Sequence, residues 1–187
     1  WSIYASTVLN RIIKHFGEPE SGVRIVMESD LPGASGMSSS SALVITVLLA
    51  LLKGGEMSAA RAALTSRTEL AAFAGAIESG ADFRDFPGGA GVGTRGGSED
   101  HTAIFMSQPG ELGLYTYAPI EALQRVRLPE DHTFVIAGSG VKAKKTGEAR
   151  ERYNLASLRA SDVAKAWSED ADENCKTMGK MMLSPSF

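Results

Sequence analysis

Apolar residues recur along the first sixteen positions at Tyr4, Val8 and Ile12 and again at Leu9, Ile13 and Phe16. That spacing predicts a helix with one buried face, stopped at Gly17. Val23 to Glu28 alternates instead, with Val23, Ile25 and Met27 on one face, and predicts a strand. Ala42 to Leu52 is apolar almost all round and predicts a helix buried on most sides, ended by Lys53-Gly54-Gly55. Met57 to Ser79 has helical composition. Ser66-Arg67-Thr68-Glu69 has the form of a capping box, so two helices are expected there, the second starting at Arg67.

Periodicity then lapses. Seven glycines fall between Gly80 and Gly97, which predicts a long loop. Beyond it, Thr102 to Met106 and Leu112 to Tyr117 flank Gln108-Pro109-Gly110 as the arms of a hairpin, and His132 to Ala137 is a further strand stopped at Gly138-Ser139-Gly140. Thr146 to Trp167 is helical again, with Ala149, Tyr153, Ala156 and Leu158 among its apolar or aromatic positions. The acidic Ser168 to Glu173 extends or breaks it, and nothing after Met182 has an ordered pattern. The mixture gives an α+β fold class.

Bulk properties narrow the function. The 187 residues, 43% hydrophobic, suit one domain or one domain and part of another. A formal charge of −3 argues against a general nucleic-acid footprint. The longest apolar run is too short to span a bilayer, so no membrane partner is expected. The single cysteine, Cys175, permits no internal disulfide, fits a reducing compartment and receives no role. A cytoplasmic chain is the expectation, and the absence of an initiating Met fits a piece of a longer protein.

Candidate chemistry concentrates where the expected strand turns into the apolar helix. Asp30-Leu31-Pro32 leads into Gly33-Ala34-Ser35-Gly36-Met37-Ser38-Ser39-Ser40-Ser41. Glycines let backbone approach a ligand, and the following helix presents free N–H groups and the positive end of its dipole. The physical reading is a phosphate cradle; the plain alternative is a helix capped by Ser38 or Ser39. Glu78 is the other unusual residue, a carboxylate on an apolar helix face near the helix C-terminus, where the dipole disfavours it. It reads either as a side chain reaching water or as a carboxylate facing a cation. Phosphoryl transfer needs phosphates held, Mg²⁺ bridging them and an acceptor hydroxyl beside a carboxylate. Mg²⁺ takes few protein oxygens. Glu78, Glu99 and Asp100 are the acids near glycine-rich turns.

Pro32, Gly36, Met37, Ser39 and Ser40 resemble the central Pro-x-x-x-Gly-Leu-x-Ser-Ser-Ala motif of the GHMP kinases, with Ser41 in place of the first Ala. Gly97-Ser98-Glu99-Asp100-His101, expected to enter a strand, resembles the Gly-Ile-Met-Asp-Gln segment of galactokinases. Ala137 to Lys142 and the helix with Tyr153-Asn154 resemble the Ser-Gly-Val-Lys stretch of the same enzymes and its following helix. The resemblance covers about Gly22 to Asn154.

It implies a ribosomal protein S5 domain 2-like fold, with residues 1–140 as the ATP-binding domain and 141–187 as the start of a second domain. It implies ATP and Mg²⁺ as cofactors and a sugar or sugar derivative as acceptor. Gly33 to Ser41 would hold the phosphates, and Ser40 and Glu78 the metal. Asp100 would be catalytic, and Gly97, Asp100 and Tyr153 would contact substrate. The family's early Gly-Glu-His-x-Asp motif and late glycine-rich motif have no counterpart, so a fragment is expected. The rival readings are a non-catalytic nucleotide- or ligand-binding domain on the same scaffold and a mevalonate-type kinase. Arg95 and the lysines at 142, 144 and 145 read as phosphate contacts or solvated cations. His101 reads as orienting Asp100 or as a polar residue at a strand start. Asp82 and Asp85 lack metal-ligand spacing.

Overall fold

A computed structural model describes residues 1–117, 119–142, 147–171, 174 and 177–185. Five helices come first: α1 (Ser2–Phe16), α2 (Ser39–Gly54), α3 (Ser58–Ala63), α4 (Arg67–Ser79) and α5 (Glu99–Met106). A two-stranded antiparallel hairpin follows, β1 (Glu111–Tyr117) and β2 (Ile120–Arg127), and then α6 (Gly147–Asp170) and α7 (Met178–Met182). The class is α+β.

The core is helix on helix. Val8 and Ile12 of α1 meet Val44, Leu48 and Leu51 of α2 and Phe73 and Ile77 of α4, and all of these are buried. Burying a side chain of this kind stabilises by about 1.5–3 kcal/mol. Phe73 anchors an aromatic cluster, with ring centroids 5.7 Å from Phe16 and 5.1 Å from Phe83. The expected capping box is present at α4: Ser66 Oγ accepts from the Glu69 N–H, and the Glu69 carboxylate accepts from the Ser66 N–H.

Three expectations are corrected. Residues 23–28 form no strand, because no strand among the described residues offers them backbone partners; Val23 and Ile25 still pack on the core while Val26 is exposed. Residues 132–137 are likewise unpaired, with Phe134, Val135 and Ile136 exposed. Thr102 to Met106 is helical rather than the first arm of a hairpin. The segment Gly97 to His101 therefore opens a helix, with Ser98 at its N-cap position. The hairpin lies further on, with Glu111 opposite Arg127 and Tyr117 opposite Ile120. The Gln108-Pro109-Gly110 turn connects α5 to β1.

The glycine loop from Gly80 is folded tightly back on the end of α4. Gly80 and Gly91 both have positive φ, and a Cβ on Gly91 would sit 2.6 Å from the Glu78 carbonyl oxygen. The Val92 N–H donates to that oxygen and the Gly89 N–H to Gly80 O. From the other side α1 pins the loop: Arg11 Nη2 donates to Ala81 O and Lys14 Nζ to Gly88 O. Burial lowers the Arg11 pKa, opposed in part by Asp82. Asp82 Oδ1 itself accepts from the Gly88 N–H, so it braces the loop.

Candidate functional site

Three helix ends converge on one cleft. The C-terminus of α4 carries Glu78, the N-terminus of α2 carries Ser41, and the first turn of α5 carries Asp100. Gly75 permits this meeting, since a Cβ there would be 3.0 Å from Ser98 Cα. Ser41 Oγ donates to Glu78 Oε2 at 2.9 Å and lies 3.4 Å from Asp100 Oδ2. His101 Nε2 is 2.9 Å from the same Glu78 oxygen. The cleft holds about 90 Å³ and is walled by Thr94, Gly96 and Gly97 of the loop and by Tyr153 of α6.

Glu78 is 8% exposed, which makes its charge state decisive. Burial pushes its carboxyl up, but contacts from His101, Ser41 and Ser40 outweigh that, so its pKa is lowered. Each contact favours the carboxylate form. The carboxylate is therefore ionised at neutral pH inside a buried wall.

The helix termini supply the remaining electrostatics. Ser38, the N-cap of α2, takes a left-handed conformation (φ 53°) and its side chain makes no capping bond. The first N–H groups of α2 thus lack a side-chain cap, which leaves them for an anion. Ser98, the N-cap of α5, also makes no capping bond, and its hydroxyl donates to Tyr117 O instead. Asp100 in that first turn sits where the helix dipole favours a carboxylate.

The structure brings Ser41, Glu78, Gly97, Asp100 and Tyr153 to one cleft, and Ser40 lies close enough to Glu78 to act on its charge. Gly33, Ala34, Ser35, Gly36, Met37, Ser38 and Ser39 are not on its wall. Gly33 to Gly36 is an exposed turn in which Ala34 and Gly36 have positive φ and Ser35 Oγ donates to Pro32 O. This turn leads directly into the open end of α2. Lys142 is exposed, and Lys144, Lys145 and Cys175 lie outside the described residues.

Sequence reasoning assigned His101 to Asp100 or to a strand start, whereas its Nε2 contacts Glu78. A helical reading of residues 99–106 would have put His101 one position past Asp100, about 100° around the axis, and so toward α4. Glu99, one of the three acids expected near glycine-rich turns, lines the cleft, as does Thr94, which no reading of the sequence singled out. Glu99 was legible as the neighbour of Asp100, but nothing in the loop pattern marks Thr94. Asn154, whose amide bonds to the loop backbone, had no signal of its own beyond standing next to Tyr153.

The oxygens present are the Glu78 and Asp100 carboxylates and the Ser41 hydroxyl between them, with the His101 imidazole beside Glu78. Such a set is hard and suits Mg²⁺ held by few protein ligands and completed by waters and phosphate. It is too sparse for a metal site built from protein alone. Among the described residues no group of three or more His, Cys, Asp or Glu side chains forms one. No helix of the described residues is long and apolar enough to cross a membrane.

Residues 3–90 match the family model described as GHMP kinases N terminal domain. The matched segment runs from α1 through α4, including the serine turn and Glu78, and stops before Asp100. Over these residues the chain is similar to the N-terminal domain of the GHMP kinases. No solved structure matches the chain.

Proposed function

We propose that this chain carries the phosphotransfer site of a sugar kinase of galactokinase type. The observation that carries the reading is the meeting of Ser41, Glu78 and Asp100 within hydrogen-bond distances at the open end of α2. In this reading residues 1–140 are the nucleotide-binding domain, in the ribosomal protein S5 domain 2-like fold, and 141–187 begin a second domain. The protein acts on a sugar in the cytoplasm.

The roles follow from position. The turn from Gly33 to Ser38 and the first N–H groups of α2 at Ser39, Ser40 and Ser41 hold the phosphates of ATP. Glu78, with the Ser40 and Ser41 hydroxyls, holds Mg²⁺, whose chemistry is to neutralise charge on the transferring phosphoryl group. Asp100 accepts the proton of the acceptor hydroxyl, or anchors it, from the opposite side of Ser41. Gly97 and Tyr153 bound the acceptor on the loop and α6 sides.

Charge on the cleft wall favours one acceptor class. Glu78, Glu99 and Asp100 face it, and no Lys or Arg is among the described residues lining it. An anionic acceptor such as a uronic acid, a sugar phosphate or mevalonate meets the carboxylates of Glu99 and Asp100 there, with only His101 and the Mg²⁺ this reading places on Glu78 to offset them. A neutral polyhydroxyl acceptor meets only hydrogen-bonding groups.

The test is ADP release from Mg-ATP with a panel of neutral sugars, uronic acids, sugar phosphates and mevalonate, in the wild type and Asp100→Asn. Turnover with a neutral sugar, lowered about 10²–10⁴-fold in Asp100→Asn with nucleotide affinity retained, is the expected result. Unchanged turnover in the variant removes Asp100 from the mechanism. Nucleotide binding with no turnover on any acceptor supports a non-catalytic binding domain instead.

A further inference from the structure

Helix α6 is joined to the helical body in an unusual way. It runs for 24 residues, most of them exposed, and its one extensive contact with another element among the described residues is with the short α7. It nevertheless supplies Tyr153 to the cleft wall. Its next residue, Asn154, is bonded to the far half of the glycine loop. The Arg95 N–H donates to Asn154 Oδ1 at 2.8 Å, and Asn154 Nδ2 donates to Gly93 O at 2.9 Å.

One side-chain amide thus pairs a backbone donor and a backbone acceptor together, as a neighbouring strand would. The pairing fixes which end of the amide is oxygen, because the reversed amide would set donor against donor and acceptor against acceptor. The loop is shaped to receive it. Gly93 has φ +94°, and a Cβ there would come within 3.3 Å of the Arg150 guanidinium. A Cβ on Gly96 would lie 3.1 Å from the Tyr153 hydroxyl. At Gly93 and Gly96, positions without side chains, helix and loop come close enough that a Cβ would crowd α6.

We infer that Asn154 is a positioning residue: it latches α6 to the loop at Gly93 and Arg95 and so sets where Tyr153 and Gly97 stand against the acceptor. The inference rests on reading the cleft as an acceptor site. Its near neighbours do other work. Arg11 and Lys14 tie the earlier part of the loop to α1, away from Tyr153, and Glu78 and Asp100 belong to helices that do not depend on α6.

The test uses the full chain with Asn154→Ala and Asn154→Asp. Hydrogen exchange at the Arg95 amide is expected to lose protection in Asn154→Ala and to keep much of it in Asn154→Asp, which retains the acceptor oxygen. Exchange within α4 stays unchanged in both. With the neutral sugar that the wild type turns over, the acceptor KM in Asn154→Ala rises roughly tenfold, while kcat and the KM for ATP stay within about twofold. Asn154→Asp falls between wild type and Asn154→Ala. Unaltered Arg95 protection in Asn154→Ala overturns the latch. Lost protection with an unmoved acceptor KM, or a fall in kcat alone, overturns the positioning role. If the wild type turns over no acceptor, the kinase reading fails by itself, and the exchange measurement still decides whether Asn154 holds the helix.

Discussion

The helical body from α1 to α5 and the chain beyond Met106 differ in how they place most of their large apolar residues. In the body, Val8, Ile12, Val44, Leu48, Phe73 and Ile77 are all essentially inaccessible to water. Beyond it, Leu114, Leu123, Phe134, Val135 and Ile136 each leave more than half of their surface exposed. Packing is cooperative, so the first region fixes side chains within a dense interior while the second leaves them on a surface. The acids of the cleft ride on the first region and its outer wall at Tyr153 on the second. The difference teaches that the acids of this site ride on densely packed helices, whereas Tyr153 comes from a helix most of whose residues are exposed.

The most direct way to break the comparison is a matched pair of truncations. Phe73→Ala removes a fully buried ring from contact with Phe16 and Phe83 and is expected to cost about 3–5 kcal/mol. Phe134→Ala, at 68% exposure, is expected to change stability by less than about 0.5 kcal/mol. Denaturant unfolding of both variants measures this. A comparable loss in Phe134→Ala would mean that the second region is packed in solution.

Next in size is Gly91→Ala. The residue has φ +59°, and the new methyl carbon would stand 2.6 Å from both the Glu78 carbonyl oxygen and the Gly80 nitrogen. Both are backbone atoms, so the end of α4 must move, at a cost of about 2 kcal/mol or more. The Val92 N–H bond to Glu78 O is strained by the same movement. Thermal unfolding reads the loss, and, on the reading of Glu78 as an Mg²⁺ ligand, turnover of the variant would need more Mg²⁺ to saturate.

The same contrast explains what the sequence made legible. Helices with a strong apolar stripe and a recognisable end, such as α1 with Gly17 or α4 with Ser66 and Glu69, can be read from local pattern because burial and capping act within a few residues. The loop from Gly80 to Gly97 was legible as a loop, and Glu78 as an acid out of place. Residues 102–106 were misread because a short apolar run has no decisive period. Ser98, Glu99 and Asp100 are the better guide there, since they mark a helix N-terminus. Residues 23–28 and 132–137 were misread for another reason. Alternation measures how well a segment suits a strand, but a strand exists only where another offers its backbone, and neither segment has one among the described residues. Within the cleft, Asp100 and Glu78 were legible as chemical types, while the His101 contact depends on how α5 crosses α4, which no local pattern carries.

Smaller effects sharpen the picture at the start of α4. Ser66→Ala deletes the acceptor for the Glu69 N–H and is expected to cost about 1 kcal/mol. Little effect on unfolding would mean that burial of Phe73 and Ile77 holds α4 without its cap.

The smallest effect is a pH dependence. The Glu69 carboxyl is lowered to about 2, chiefly by backbone N–H bonds from Ser66 and Thr65 and to a lesser degree by Arg84. A folded-state value below the unfolded one means that the unfolded chain binds the proton more readily. The stabilisation is then complete above the ordinary value of 4.5 and is lost as pH falls toward about 2. Glu69→Gln removes this contribution, so its thermal midpoint should fall less steeply than wild type between those limits. High salt should leave most of the difference in place, because the leading partners are backbone groups rather than the exposed Arg84. A difference that vanished in salt would assign the effect to Arg84, and α4 would then be held at its start by a surface ion pair instead of its cap.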